Sequence, residues 1–213
     1  MNWQVEYALK NLRHASGVTS ADHAGGDAIR IRVPEQPDVV AVISDTYTMS
    51  LEDAMQYHQA WPDMSFLCGY RKDCVWEGKA IAYLEANAIG WGSIGTLGTA
   101  VSHGNVRSAG HKSYAFAYRI IRQLRYVSDL YREFDRIFSL KLLCGRSIRI
   151  AMILEYEPTA DSVRTIRERF GPVDIVWSIN PNGFPTPSAI EAGRQLGCEV
   201  LKWEGMRSIL QKG

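Results

Sequence analysis

The feature that most constrains this chain is a recurrence. The order strand, helix, strand, helix, strand is read once between residues 38 and 94 and again between 148 and 203. The run DVVAVIS at 38–44 is almost continuously apolar, the pattern of a strand buried on both faces. It is followed by a helical pattern at 51–60, a strand at 64–70, a helix at 77–88 and a strand at 89–94. The second series places strands at 148–155, 173–179 and 199–203, with helices at 161–170 and 187–196 between them. Such alternation predicts parallel strand pairing and an α/β fold. Aligned side by side, Ala41 falls on Ala151, an offset of 110 (151 − 41), and Ala80-Ile81 on Ala189-Ile190, an offset of 109 (189 − 80). A single deletion would reconcile the two offsets. The halves therefore read as an internal β-α-β-α-β repeat.

Ahead of the first series, Val5, Ala8, Leu9 and Leu12 are spaced as on an amphipathic helix. A hairpin then turns at Gly25-Gly26, and in its second strand Ile29, Ile31 and Val33 alternate with arginines. Ile120, Leu124, Val127, Tyr131, Phe134 and Phe138 recur at steps of four and three, which predicts one long helix. The expected organisation is a first α/β half at 1–101, a linker loop at 102–112, a connecting helical segment at 113–146 and a second half at 147–213. The long helix also offers a surface for homo-oligomer formation.

Composition narrows the function classes. Hydrophobic residues make up 46% of the 213, enough for substantial cores, and the formal net charge is +1, so the whole-molecule field favours neither nucleic acid nor membrane. The start lacks the pattern of a secretory signal, and no apolar run approaches the roughly 18 residues of a membrane span. Three of the four cysteines lie in or beside predicted strands, as buried free thiols of a reducing compartment would. A cytoplasmic protein without a membrane partner is expected.

Charge is uneven locally. Residues 112–149 hold nine basic side chains against three acidic ones, a balance of +6, leaving about −5 (1 − 6) for the remainder. Arg119, Arg122, Arg125, Arg132 and Arg136 fall largely off the apolar stripe and are candidates for contacting a nucleic-acid backbone. The standard phosphate cradles are absent: no GxGxxG opens a helix after the first strand and no GxxxxGK[ST] occurs. The glycines of IGWGSIGTLG, Gly90, Gly92, Gly95 and Gly98, read as close packing and a turn.

The opening order, helix, hairpin with an aspartate, third strand, helix, strand, resembles the restriction-endonuclease-like, or PD-(D/E)XK, superfamily. The positions carrying the likeness are Glu6 on the first helix, Asp27 at the start of the second strand in GGDAIRIRV, and Asp45 at the end of the third in VVAVISDTYT. The resemblance implies a restriction-endonuclease-like first half and catalytic carboxylates at Glu6, Asp27 and Asp45. Asp27 and Asp45 would hold Mg²⁺ for phosphodiester hydrolysis, because hard carboxylates gather divalent ions at a phosphate. At the E-x-K position stand Ser44, Asp45 and Thr46, without the lysine, so the implied site is degenerate. Glu155 lies opposite Asp45 in the alignment, and the second half is expected to copy only the tail of the superfamily core.

Other readings of these residues stay open. Asp27 after Gly-Gly suits a turn, Asp45 and Glu155 suit caps, and Glu6 suits a solvated helix face. The function expected is nuclease-like action on, or binding to, nucleic acid. The alternatives are a non-enzymatic assembly or binding protein and a Rossmann-like nucleotide sensor near Tyr47, Asn180 and Asn182.

Overall fold

The computed structural model describes residues 2–71 and 74–212, which form two compact units, 1–111 and 112–213. The boundary falls inside the segment expected to be a linker, most of which is structured: a helix runs through His103 and a 3-10 turn spans Val106–Ser108.

In the first unit, helix α1 (Trp3–Leu12) buries Val5, Ala8, Leu9 and Leu12, the face its spacing predicts. Strands β1 (Ser20–Gly25), β2 (Ala28–Arg32) and β3 (Val39–Ser44) form an antiparallel meander. The β1–β2 turn needs its glycines, since Gly25 and Gly26 have φ of 109° and 48°. A short strand β4 (Thr48–Met49) and helix α2 (Leu51–Ala60) lead to β5 (Phe66–Gly69). Strand β6 (Val75–Trp76) pairs with β4, helix α3 (Gly78–Ala86) follows, and β7 (Gly90–Gly92) and α4 (Ile94–His103) close the unit. The main sheet has the order β1-β2-β3-β5-β7, with β5 and β7 parallel to β3. Every residue of β3 is buried, as its apolar run demands. Helices α1 and α4 cover one face of the sheet, α2 and α3 the other.

The second unit opens with helix α5 (Lys112–Arg122), followed by an antiparallel meander of β8 (Val127–Phe134), β9 (Ile137–Leu142) and β10 (Ser147–Ile153). Helix α6 (Ala160–Phe170), β11 (Ile175–Ser178), α7 (Pro187–Gln195), β12 (Glu199–Leu201) and α8 (Trp203–Lys212) complete it. The sheet order is β12-β11-β10-β9-β8, with β10, β11 and β12 parallel. Here α5 and α8 share one core with the sheet, and α6 and α7 the other.

Three expectations are corrected. The long helix over 113–146 does not exist: the chain is helical only to Arg122 and then forms the β8–β9 hairpin. The steps of four and three are met by a helix end followed by a hairpin, and in β9 the alternation of Phe138, Leu140 and Leu142 with Ser139 and Lys141 is a strand's period of two. The surface for self-association assigned to that helix goes with it. The second unit is also not merely a tail, since α5, β8 and β9 supply an opening helix and hairpin. Finally, the offset of 110 disappears. Ala28 pairs with Val42 and Ala41 with Phe66; 109 residues on, Ile137 pairs with Ala151 and Ile150 with Ile175. Helix starts keep the same interval (112 − 3, 160 − 51, 187 − 78, 203 − 94).

Among the described residues no helix is long and apolar enough to cross a membrane. Cys68, Cys74 and Cys198 are buried free thiols, and Cys144 is exposed.

Candidate functional site

In the first unit the polar groups gather where β3 ends beside the start of β2. Asp27 occupies the entry to β2, where its carbonyl accepts the Ile43 N–H at 2.9 Å. Its carboxylate accepts the Asn2 side-chain amide at 2.6 Å. Ser44, the last residue of β3, is fully buried, and its hydroxyl meets the Tyr57 hydroxyl from α2 at 3.2 Å and the Thr46 hydroxyl at 3.0 Å. Asp45 follows at the surface; its carbonyl accepts Arg71 Nε at 2.6 Å, and the Arg71 guanidinium lies 4.0 Å from the centre of the Tyr47 ring.

Burial pushes the Tyr57 hydroxyl above its ordinary value of 10.0, the Ser44 hydrogen bond opposes this, and the charges of Asp27, Asp45 and Asp53 add to the rise. Asp27 and Asp45 thus act on one phenol, which stays neutral at neutral pH and offers a hydrogen bond in place of a base. Glu6 is exposed on α1, one turn beyond Asn2. Among the described residues no three His, Cys, Asp or Glu side chains form a group able to hold a metal ion, and Glu6, Asp27 and Asp45 are no exception.

The basic candidates divide into two sets. Arg136 chelates Asp135 through Nε and Nη2 at 2.9 and 2.8 Å, with the Asp135 side chain only 4% exposed. Its guanidinium lies 5.6 Å from the Tyr114 ring centre, and burial, eased by Arg136, pushes the Tyr114 hydroxyl to about 12. Arg132 rests over Tyr118 at 4.6 Å and Phe138 at 5.8 Å. These two arginines hold the fold together. Arg119, Arg122 and Arg125 are exposed at the end of α5 and in the turn after it, and no hydrogen bond or ion pair engages them among the described residues.

Arg146 joins this second set. The Leu143 N–H donates to the Tyr126 carbonyl at 2.9 Å and Leu142 pairs with Val127, so the β9–β10 turn lies against the segment after α5. Arg146, exposed in that turn, therefore shares one end of the unit with Arg122 and Arg125. The charge balance along the chain includes Arg146 but does not place it there, because the apolar spacing reads as helix where the hairpin lies.

The residues named for a nucleotide sensor belong to different units. The Asn180 amide donates to the Leu154 carbonyl at 3.3 Å, its oxygen accepts the Asn182 N–H at 3.1 Å, and Lys202 donates to the carbonyls of Asn180 and Gly183. These groups are spent shaping the loop after β11. In the first unit, a shallow hollow of about 1030 Å³ between α2 and α3 likewise has its polar groups paired: His58 with Tyr83 at 2.8 Å and Glu77 with the Leu51 N–H at 3.2 Å.

No family model, curated protein or solved structure matches the chain.

Proposed function

We propose that the protein binds nucleic acid through the basic end of its second unit, on a restriction-endonuclease-like scaffold that occurs twice and is used for binding instead of phosphodiester cleavage. The observation that carries this reading is the set of exposed, unpaired guanidinium groups of Arg119, Arg122, Arg125 and Arg146, three of them around two adjoining turns. Arginines free of internal partners can release counterions from a phosphate backbone, whereas Arg132 and Arg136 cannot without breaking internal contacts. The twofold use of the scaffold is supported by the matching strand orders and by the constant interval of 109 residues between paired strands.

For Mg²⁺ the donor set does not fit. Asp27 and Asp45 are the carboxylates that would hold it, but they flank a phenol and form no metal-holding group with Glu6, so no hydrolytic step is assigned to them.

The test is binding of a short labelled duplex across a salt series from about 50 to about 200 mM. The wild-type logarithmic affinity should fall linearly with the logarithm of salt concentration. Triple charge reversal of Arg122, Arg125 and Arg146 to Glu should weaken binding by more than about tenfold and flatten the slope by roughly one for each phosphate no longer neutralised. No binding at the lowest salt sinks the reading. Cleavage of the duplex with Mg²⁺ that is lost in Asp27→Ala would restore the catalytic version.

A further inference from the structure

The chemistry-bearing feature that neither the basic end nor the carboxylates absorb is a cavity of about 550 Å³ in the first unit, between α1 and the start of α4. It opens beside the C-terminal ends of the parallel strands β5 and β7, where ligands of open α/β sheets collect. One wall is aromatic: Tyr70 receives Tyr7 edge-on at 5.4 Å and Trp3 at 4.7 Å. The facing wall is the bare backbone of Gly95 and Gly98 on α4.

These glycines are unlike the other two in the same motif. Gly92 has a φ of 139°, and a Cβ on Gly90 would lie 2.0 Å from the Val106 carbonyl oxygen, so the fold itself requires both. Gly95 and Gly98 have ordinary helical backbones. A Cβ at Gly95 would meet only Ser93 Oγ at 3.7 Å, and one at Gly98 only a Leu12 methyl at 3.9 Å, both comfortable contacts. Glycine is one of the poorest residues for a helix. Nothing inside the protein explains two of them, one turn apart, on the helix face that borders a cavity.

The polar groups at the rim have a defined sense. Ser93 caps α4 by accepting the Thr96 N–H, no acidic residue stands in the first turn, and the N–H groups of Ile94 and Gly95 have no partner within the helix. The Asn11 amide nitrogen donates to the Tyr7 carbonyl at 2.7 Å, which leaves its oxygen as an acceptor toward the cavity. A flat ring suits the slot between tyrosines and glycines, a donor on its edge suits Asn11, and an anion suits the helix start.

We propose that this slot binds a free nucleoside monophosphate, with the base between Tyr7, Tyr70 and the glycine face of α4 and the phosphate at the N–H groups of Ile94 and Gly95. The volume lies within the roughly 300–1,000 Å³ of small-molecule sites. The proposal is independent of the basic end of the second unit.

Calorimetric titration of the full chain with AMP, GMP, CMP and UMP tests it. At least one should bind. The double variant Gly95→Ala/Gly98→Ala should bind it at least about tenfold more weakly, since even one methyl misplaced in a pocket costs that much. That variant should melt at the same or a higher temperature, because alanine favours the helix and fits the fold, so lost binding would not reflect misfolding. Tyr70→Ala should abolish binding. The proposal is overturned if no monophosphate binds, if the alanine variant binds as tightly as the wild type, or if only the end of an oligonucleotide binds.

Discussion

The two units share a strand order and differ in what occupies equivalent polar positions. Where the second strand begins, the first unit has Asp27 and the second, 109 residues on, Arg136. Inside the third strand, Val40 is 3% exposed in the first unit, while the second has Arg149 at the corresponding place. On the closing helix, Gly95 and Gly98 answer to Glu204 and Arg207 across the same interval. The apolar positions hardly change: Ile29, Ile31 and Phe66 in one core answer to Phe138, Leu140 and Ile175 in the other. Packing of the sheet against its helices therefore tolerates wide polar substitution, and the polar residues report what each unit has been turned to.

The comparison breaks most sharply at Arg149. Its guanidinium donates to both Glu133 oxygens, with Nε at 2.9 and 3.0 Å and Nη2 at 2.6 Å, and to the carbonyls of Phe170 and Pro172 at 2.7 and 2.6 Å. One side chain thus joins β8 and β10 to the end of α6. Arg149→Ala should cost about 3 kcal/mol, because it strands a half-buried carboxylate and two carbonyls. Val40→Ala should cost about 2 kcal/mol through lost burial and a cavity. Native-state hydrogen exchange, which reads each unit separately, should show each loss in its own unit.

The same pair sets a pH dependence that the first unit lacks. The Arg149 hydrogen bonds hold the Glu133 carboxyl below its ordinary value of 4.5, with Ser139 adding in that direction and burial opposing. A depressed folded-state value means that the stabilisation is complete above the ordinary carboxyl range and is lost as pH falls through the folded-state value. Urea midpoints measured from about pH 6 down to about pH 3 should fall less steeply in Glu133→Gln than in the wild type. Equal slopes would show that the pair contributes nothing.

A smaller effect belongs to the first unit. Tyr57→Phe removes one hydrogen bond from buried Ser44, which keeps its contact with Thr46, so the cost should be about 1 kcal/mol. Because the Tyr57 value is raised, its contribution is complete below the ordinary 10.0 and is lost as pH climbs through the folded-state value; the Phe variant should lose less stability in that alkaline range.

What could be read along the chain follows from which contacts are local. The run 38–44 and the alternating elements after it are patterned by burial within each segment, and they appear where that pattern puts them. The β8–β9 hairpin is hidden because its two-residue turn is Asp135-Arg136, without glycine or asparagine, and because its apolar residues happen to satisfy a helical spacing. Asp27 and Asp45 are legible as polar residues at strand ends. Tyr57 is not, since it reaches Ser44 from the next helix, and neither is the Arg149 tie to a carboxylate 16 residues earlier. Separating the five arginines into exposed and engaged groups requires knowing which rings lie beneath them.

The smallest expected differences lie in the helix caps that both units keep. Ser50 and Thr159 each close a capping box, with Asp53 and Ser162 as the returning partners. Ser50→Ala and Thr159→Ala should each cost about 1 kcal/mol. The partners should separate the units. Asp53 brings a negative charge to the start of α2 and accepts the Ser50 N–H at 3.1 Å, whereas Ser162 performs the same task without charge, accepting the Thr159 N–H at 3.1 Å. Asp53→Asn should therefore cost about 0.5 kcal/mol at low ionic strength and less in salt, as an interaction with the helix dipole does. Ser162→Ala should cost a similar amount that salt leaves unchanged. If both losses respond equally to salt, the charge of Asp53 does not act on the helix, and the two caps are equivalent in energy as well as in position.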